Sequence, residues 1–316
     1  EGQTLTIDSS QLTIRPGKRS LDADLKLSIR SSQGAQHTLT LPEQAVLQTV
    51  AINGQPLPLR QEGRKLTLPI SPGKQDVTLS WQEQSEISSI TKTPQLDLGQ
   101  PSVNSRLNIS LGQDRWVLFV WGPKLGPAVL FWGVLVVIII LAIGFGKVPL
   151  TPLKNWHWFL LLLGLSQVPI TSAALVVAWL MVLGWRSLRP NNNFKYFNLL
   201  QVIIGLFTLC SLAILVFAVE QGLLGGSPDM QITGNQSSAF NLNWYQDRSP
   251  STLPQATAVS VPLMAYRIMM LLWSFWLAAS LLNWLKWGWN CYSSNGMWNK
   301  KPEKEQLAKT IVPEQK

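Results

Sequence analysis

The side chains best suited to recognition or chemistry lie between residues 222 and 267, in a polar and aromatic stretch and the first turn of the apolar run after it. They combine carboxylates, an amide, aromatic rings and guanidinium groups: Asp229, Asn235, Trp244, Tyr245, Asp247, Arg248 and Arg267. A loop longer than about fifteen residues is usually functional or disordered, and this one is too apolar for a solvated tether. The sequence therefore predicts either a ligand or partner surface or a cap on neighbouring elements, in which residues 232–238 and 240–245 could form a hairpin.

The sequence contains no recognisable catalytic or metal-binding constellation. Its two histidines, His37 and His157, fall in a predicted β-domain and at a predicted membrane edge, so they are not expected to share a metal. No Cys/His or Glu/His spacing suits zinc, and there is no nucleophile elbow, phosphate loop or dinucleotide fingerprint. The sequence thus predicts no catalytic residues, no metal and no cofactor, and we expect the chain not to be an enzyme.

Long apolar runs determine where the candidate residues must lie, because a helix of about 20 apolar residues crosses a hydrocarbon core of about 30 Å. The chain is predicted to cross a membrane about five times, at residues 125–146, 155–168, 171–187, 196–219 and 262–287. The second and third spans form a hairpin broken at Pro169, since proline interrupts the helical hydrogen bonds. The alternative for this stretch is a re-entrant half-helix followed by one span.

The distribution of basic residues predicts the orientation of these spans. With five spans, one side receives eleven Lys and Arg against three Glu: Lys147, Lys154, Arg186, Arg189, Lys195, Lys286, Lys300, Lys301, Lys304, Lys309 and Lys316. The positive-inside rule places this side, with a charged tail at 291–316, in the cytoplasm and the loop 220–261 outside. The net charge of +9 therefore calls for no nucleic acid; the expected partners are membrane lipids and other protein segments or subunits.

Residues 1–121 alternate between apolar and polar side chains. Within residues 21–29 every second residue is apolar, as in antiparallel strands with one face on a core and the other in water. Asn53-Gly54 is a strong hairpin signal, and Ser71-Pro72-Gly73 marks another turn. Short strands at regular spacing predict an all-β, sandwich-like domain, which the charge argument places outside the cytoplasm, in the periplasm of a Gram-negative bacterium.

The start of the chain also leads to an expectation. Glu1 is not an initiator Met, and the residues after it contain neither the basic nor the apolar region of a signal peptide. A domain outside the cytoplasm needs an export signal. We therefore expect the chain to be either a processed product or, as we favour, the C-terminal part of a longer protein.

Short stretches spread over most of the chain carry a family resemblance: Ser31 to Gly34 with His37 and Leu41-Pro42, Arg115-Trp116 with Gly126 to Leu130, Gly164 to Pro169, Pro228 to Ser238, Trp244 to Arg248, and Tyr266-Arg267. Through them the chain resembles the C-terminal part of an uncharacterised family of large bacterial (proteobacterial) inner-membrane proteins. The resemblance implies a membrane location and a longer parent protein. It implies no catalytic residues, because no activity is established for the family.

These patterns predict an all-β extracytoplasmic domain at 1–121, followed by an α-helical transmembrane domain of about five spans at 122–290. The predicted function is a scaffold or interaction platform within a larger protein or complex of the bacterial inner membrane. The alternative is a part in a transport or lipid- or glycan-handling pathway. Ion-coupled transport is disfavoured, since ionisable residues inside spans usually mark such pathways and only Glu220 and Arg267 come close.

Overall fold

The computed structural model of the protein describes residues 4–85, 88–188, 196–294 and 296–298. The chain divides into two compact units. The β-rich unit comprises residues 1–136 and 225–269, and the helical unit comprises residues 137–224 and 270–316. Arg189, Lys195 and the part of the predicted cytoplasmic tail from residue 299 onward lie outside the described residues.

The described strands of the β-rich unit belong to four sheets. In chain order they are β1 (Leu5–Pro16), β2 (Ser20–Ser31), β3 (Ala35–Thr40), β4 (Ala45–Ile52), β5 (Gln55–Pro56), β6 (Lys65–Ile70), β7 (Gly73–Gln84), β8 (Ile90–Lys92), β9 (Ser102–Ser110), β10 (Arg115–Trp121), β11 (Ala128–Val129), β12 (Ile232–Thr233), β13 (Asn241–Ser249) and β14 (Thr257–Pro262). The largest sheet has seven strands in the order β13-β9-β1-β2-β7-β4-β5. In it only β1 and β9 run parallel to each other.

The apolar residues of the alternating pattern form the core of this unit. Leu21, Ala23, Leu25, Leu27 and Ile29 of β2 are all buried, while the polar residues between them face water or lie at the edge of the core. Side chains of a strand point alternately to its two faces, so the alternation in sequence becomes one buried and one solvated face of the sheet. The prediction of a β-rich region is confirmed.

The predicted sandwich is not confirmed in the same way. Beside the seven-stranded sheet there are three small sheets, with the strand orders β10-β14-β8, β11-β12 and β3-β6. The three longest strands, β1, β2 and β7, have 12 residues each and pair with one another in a single sheet. The remaining strands are too short and too divided among sheets to build a second sheet of matching size.

The segment predicted as an extracytoplasmic loop adds three strands to the β-rich unit. Its strand β12 pairs with β11, β13 pairs with β9, and β14 pairs with β10. The predicted hairpin between residues 232–238 and 240–245 is therefore wrong. Gly234, Asn235 and Gln236 have positive φ values and turn the chain away after β12, and the nine residues of β13 then pair with the open edge of β9 instead.

The structure describes five helices in the predicted apolar stretches, but only some of them are long enough to cross a membrane. They are α1 (Phe131–Gly146), α2 (Asn155–Leu165), α3 (Ile170–Ser187), α4 (Phe197–Leu224) and α5 (Leu263–Ser293). Among the described residues, α3, α4 and α5 are long and apolar enough to span. The prediction of five full-length spans is corrected to three such helices.

The first two helices are short for reasons that lie in their local sequence and structure. Residues 128–129 form β11, so α1 begins at Phe131 and has 16 residues. Helix α2 has 11 residues, which corresponds to about 17 Å at 1.5 Å per residue. It begins after the Lys154 cap and ends ahead of Pro169, where α3 starts with its own N-terminus.

Candidate functional site

Two of the predicted site residues meet on β13, the edge strand of the seven-stranded sheet. The hydroxyl oxygen of Tyr245 lies 2.9 Å from Oδ1 of Asn104 and 3.0 Å from Oδ1 of Asp247, so it can donate its hydrogen bond to either. Across the sheet Tyr245 pairs with Arg106 of β9. These side chains point away from the core, on the face opposite buried Leu242 and Trp244. We call Asn104, Arg106, Tyr245 and Asp247 the Tyr245 cluster.

The electrostatics of the Tyr245 cluster define its chemistry. The hydrogen bond to Asp247 is the main cause that raises the pKa of Tyr245 above its usual value, and lost hydration and the negative charge of Asp247 act in the same direction. The positive charge of Arg106 opposes them. The phenol therefore stays protonated at neutral pH and acts as a donor. Together with a carboxylate and a guanidinium group it forms a polar surface suited to recognition.

Two further predicted residues shape the backbone that leads to β13. Oδ1 of Asp229 accepts a hydrogen bond from the amide of Gln231 at 2.8 Å. Nδ2 of Asn235 donates to the carbonyl oxygen of Asn243 at 3.2 Å. The contact of Asp229 joins residues two positions apart, which is typical of turns, whereas that of Asn235 joins residues eight positions apart. Both residues are exposed, but their hydrogen bonds hold the turn beside the edge strand.

The other three predicted site residues do not join the Tyr245 cluster. Trp244 is only 2% exposed and belongs to the core, which corrects its assignment to a surface. Arg248 is exposed at the end of β13, and Arg267 is exposed on α5. Among the described residues, no hydrogen bond or ion pair connects either guanidinium group to the cluster.

The sequence pattern did not single out Asn104 and Arg106 as members of a site. Both lie on β9, about 140 positions before Tyr245 in the chain, and only the pairing of β9 with β13 brings them together. The alternating pattern of β9 could have placed them on its solvated face. It carries no information about which strand lies beside them.

The two histidines lie in different surroundings. Nε2 of His37 donates to the carbonyl oxygen of Leu98 at 2.6 Å within the β-rich unit. Nδ1 of His157 accepts from the amide of Lys154 at 3.2 Å, at the start of α2. In the part of the chain that the structure describes, no three His, Cys, Asp or Glu side chains lie close enough together to hold a metal ion.

Comparisons with known proteins give only partial likenesses. No family model and no curated protein matches the sequence. An M1 zinc metallopeptidase from Deinococcus radiodurans is 13% identical over 39% of this chain and 35% of its own, with a TM-score of 0.31. A mutant of a two-domain M1 zinc metallopeptidase bound to L-tryptophan is 12% identical over 40% of this chain and 36% of its own, with a TM-score of 0.32. The chain thus spans about a third of the length of the structures it matches.

This finding corrects one expectation from the sequence. The sequence predicted that the chain is not an enzyme, whereas the solved structures that resemble part of it are enzymes. The prediction is therefore withdrawn. At a TM-score of 0.31, the likeness assigns neither a zinc site nor a peptidase activity to this chain.

Proposed function

We propose that the chain is a membrane-anchored cell-envelope module that acts as an interaction platform within a larger protein or complex. The observation that carries this proposal is the return of residues 225–262 from α4 into the sheets of the β-rich unit. The chain therefore connects the β-rich unit to helices at three points, before α1, after α4 and before α5. A sheet with several covalent connections to membrane helices is well suited to hold a partner at a membrane surface.

The pairing of the strands also limits the membrane topology. Because β11 precedes α1, while β12 to β14 lie between α4 and α5, the start of α1 and the end of α4 are on one side of the membrane. The helices α1, α2 and α3 must then cross an odd number of times in total, since α4 crosses once. Three spans made by α3 to α5, or five made by all the helices, satisfy this condition. A re-entrant α2 between two single spans, α1 and α3, does not.

The orientation of the module follows from charge. The segments beyond α3 and α5, together with Arg186 and Lys286 near the ends of these helices, carry nine Lys and Arg against three Glu, and short basic segments remain in the cytoplasm. We therefore propose that the β-rich unit lies on the periplasmic side of a bacterial inner membrane. The resemblance to large inner-membrane proteins supports the same placement and a position at the C-terminal end of such a protein.

Cysteine labelling tests this topology. With Cys210 and Cys291, both unpaired, replaced by Ala, we expect Gln236→Cys to react with an impermeant thiol reagent in intact cells. Trp298→Cys is expected to react only after permeabilisation, because α5 separates the two positions. Lys147→Cys distinguishes five spans, in which it is protected, from three, in which it reacts. Labelling of Trp298→Cys in intact cells would overturn the proposed orientation.

The surface that we assign to partner binding is the Tyr245 cluster. It combines a phenol donor and a carboxylate on the outer face of the edge strand β13 with a guanidinium group on its neighbour β9. Tyr and Arg are the residue types that most often dominate binding energy at protein interfaces. The alternating polar face extends from this cluster across β9, β1 and β2.

Charge reversal at Arg106 tests the partner surface. We expect that crosslinking in native membranes, followed by purification and mass spectrometry, recovers a protein partner with the natural full-length protein. Arg106→Glu should lower that recovery at least about tenfold, since a single dominant contact contributes about 2 kcal/mol or more. The control is Lys26→Glu, the same charge reversal on the same sheet face but two strands away. Equal recovery with Arg106→Glu and the unaltered protein would contradict the proposal.

A second candidate function is a part in a transport or lipid- or glycan-handling pathway. The observation that favours it is an apolar cavity of about 340 Å³ inside the helical unit. Cavities of about 300–1,000 Å³ are typical of small-molecule sites.

A further inference from the structure

The cavity lies among α3, α4 and α5, the three helices that are long and apolar enough to cross a membrane. Its walls are largely aromatic and small side chains. The lining residues used in the argument are Trp179 of α3, Gly205 and Thr208 of α4, and Gly288, Trp289 and Tyr292 of α5. All of them belong to the helical unit.

Three side-chain donors of the cavity wall have hydrogen-bond partners within the helical unit. Nε1–H of Trp179 donates to Oγ1 of Thr208 at 2.9 Å, and Oγ1–H of Thr208 donates to the carbonyl oxygen of Ile204 at 2.9 Å. The hydroxyl of Tyr292 donates to the carbonyl oxygen of Gln201 at 3.4 Å. These donors are therefore not available to a ligand. Since a polar ligand would lose its hydration without gaining partners from these groups, the cavity favours an apolar one.

Glycine creates part of the empty space. A Cβ atom added to Gly205 would meet no atom within 4 Å, so the backbone of α4 borders open space at this position. A Cβ added to Gly288 would lie 3.2 Å from Cδ1 of Leu183. The cavity thus has room where α4 lacks a side chain, and a larger residue at position 205 would occupy it without a clash at its first atom.

The surroundings of the cavity identify the occupant. Leu206 and Leu209, next to the cavity on α4, are exposed, as is Leu282 on α5, so the cavity continues into an apolar outer surface. In a membrane the apolar molecules that contact such a surface are lipid tails. Lys286 is exposed one helical turn before Trp289, and a lysine near the end of a span can extend towards lipid phosphate.

We propose that this cavity binds one acyl chain of a membrane phospholipid, whose phosphate lies within reach of Lys286. The aromatic rings of Trp179, Trp289 and Tyr292 surround the chain, and the gap at Gly205 admits it beside the backbone of α4. This proposal rests on the membrane placement of α3 to α5. It does not depend on the Tyr245 cluster or on a protein partner.

Filling the cavity tests the proposal. The full chain is purified in mild detergent, and retained phospholipid is counted by native mass spectrometry. We expect about one phospholipid per chain in the unaltered protein and at most about a tenth of that occupancy in Gly205→Leu, which corresponds to a loss of affinity of more than about tenfold. The matched control is Gly144→Leu on α1, where an added Cβ also meets open space but does not line the cavity. It should retain the lipid.

A second measurement keeps the test independent of how the variant folds. A phospholipid with a photoreactive acyl chain, incorporated with the unaltered protein into nanodiscs, should label peptides containing residues 205–208 and 285–292. Glycerol phosphate without an acyl chain should not compete. The proposal would be overturned if Gly205→Leu retained as much lipid as the unaltered protein, or if the lipid labelled only other helices. It would also be overturned if a crosslinker at position 289 reacted with residues 299–316 or with a second copy of the chain. Recovery of a protein partner by Gly205→Leu should be unchanged, so failure of this inference is distinguishable from failure of the platform function.

Discussion

Replacement of Trp244 by Ala is expected to lower the free energy of unfolding of the β-rich unit by about 3–5 kcal/mol, the usual range for loss of a buried tryptophan. Trp244 is 2% exposed and faces the core from β13. Gly122 and Gly126 approach its indole ring so closely that an added Cβ at either position would overlap it. The ring therefore holds β13 against the connection between β10 and α1, and the Tyr245 cluster should lose its position when Trp244 is removed.

Hydrogen exchange measures this effect within the full chain. Amides of β9 and β13 should exchange faster in Trp244→Ala than in the unaltered protein, followed peptide by peptide with mass spectrometry. The matched control is Trp121→Ala in the same unit, because Trp121 is 56% exposed and surface substitutions usually change stability by about 0.5 kcal/mol or less. If the amides of β13 exchanged at the same rate in Trp244→Ala and Trp121→Ala, Trp244 would not anchor this strand.

Replacement of Gln201 by Leu is expected to destabilise the helical unit by about 1–3 kcal/mol, because buried polar partners would be left unpaired. Gln201 is fully buried on α4. Its Nε2 donates to the carbonyl oxygens of Tyr292 at 3.0 Å and Met297 at 3.2 Å, and its Oε1 accepts from Nε of Arg186 at 3.3 Å. Since the last carbonyl groups of a helix lack partners within the helix, Gln201 holds the end of α5 against α3 and α4.

Thermal unfolding of the full chain in detergent provides the measurement, with the folded fraction read by size-exclusion chromatography after heating. Ser211→Ala is the matched control. Ser211 is also fully buried on α4, but its hydroxyl has no hydrogen-bond partner among the described residues, so its removal should not lower stability. An equal loss of folded protein in the two variants would show that the hydrogen bonds of Gln201 contribute little.

Arg186, near the end of α3, is buried although the sequence pattern predicted a residue of an exposed connection. The sequence places it with the basic residues of a cytoplasmic connection. In the structure it is 1% exposed, its Nη2 donates to the carbonyl oxygen of Ser294 at 3.1 Å, and its guanidinium carbon lies 4.7 Å from the centre of the Phe197 ring. An arginine at the end of an apolar run is therefore part of the helix packing here.

The sequence by itself determined the order and type of the main elements. Alternation such as that of residues 21–29 determines strands with one buried face, because successive side chains point to opposite faces of a sheet. Uncharged runs such as those in α4 and α5 predict long apolar helices, because no residue in them interrupts the backbone hydrogen bonds and no charged side chain needs hydration. These signals are local, so they can be identified without knowledge of the rest of the fold.

Only the tertiary structure decided the pairings between distant segments. The alternating pattern of β13 does not state that its partner is β9, and the Tyr245 cluster and the burial of Trp244 both follow from that pairing. Likewise, the sequence shows that α4 lacks a side chain at Gly205, but a cavity forms there only because α3 and α5 leave the space unfilled. The physical reason is that several segments could pair with an open sheet edge or fill a gap between helices. Which segment does so depends on the path of the whole chain and not on the local sequence.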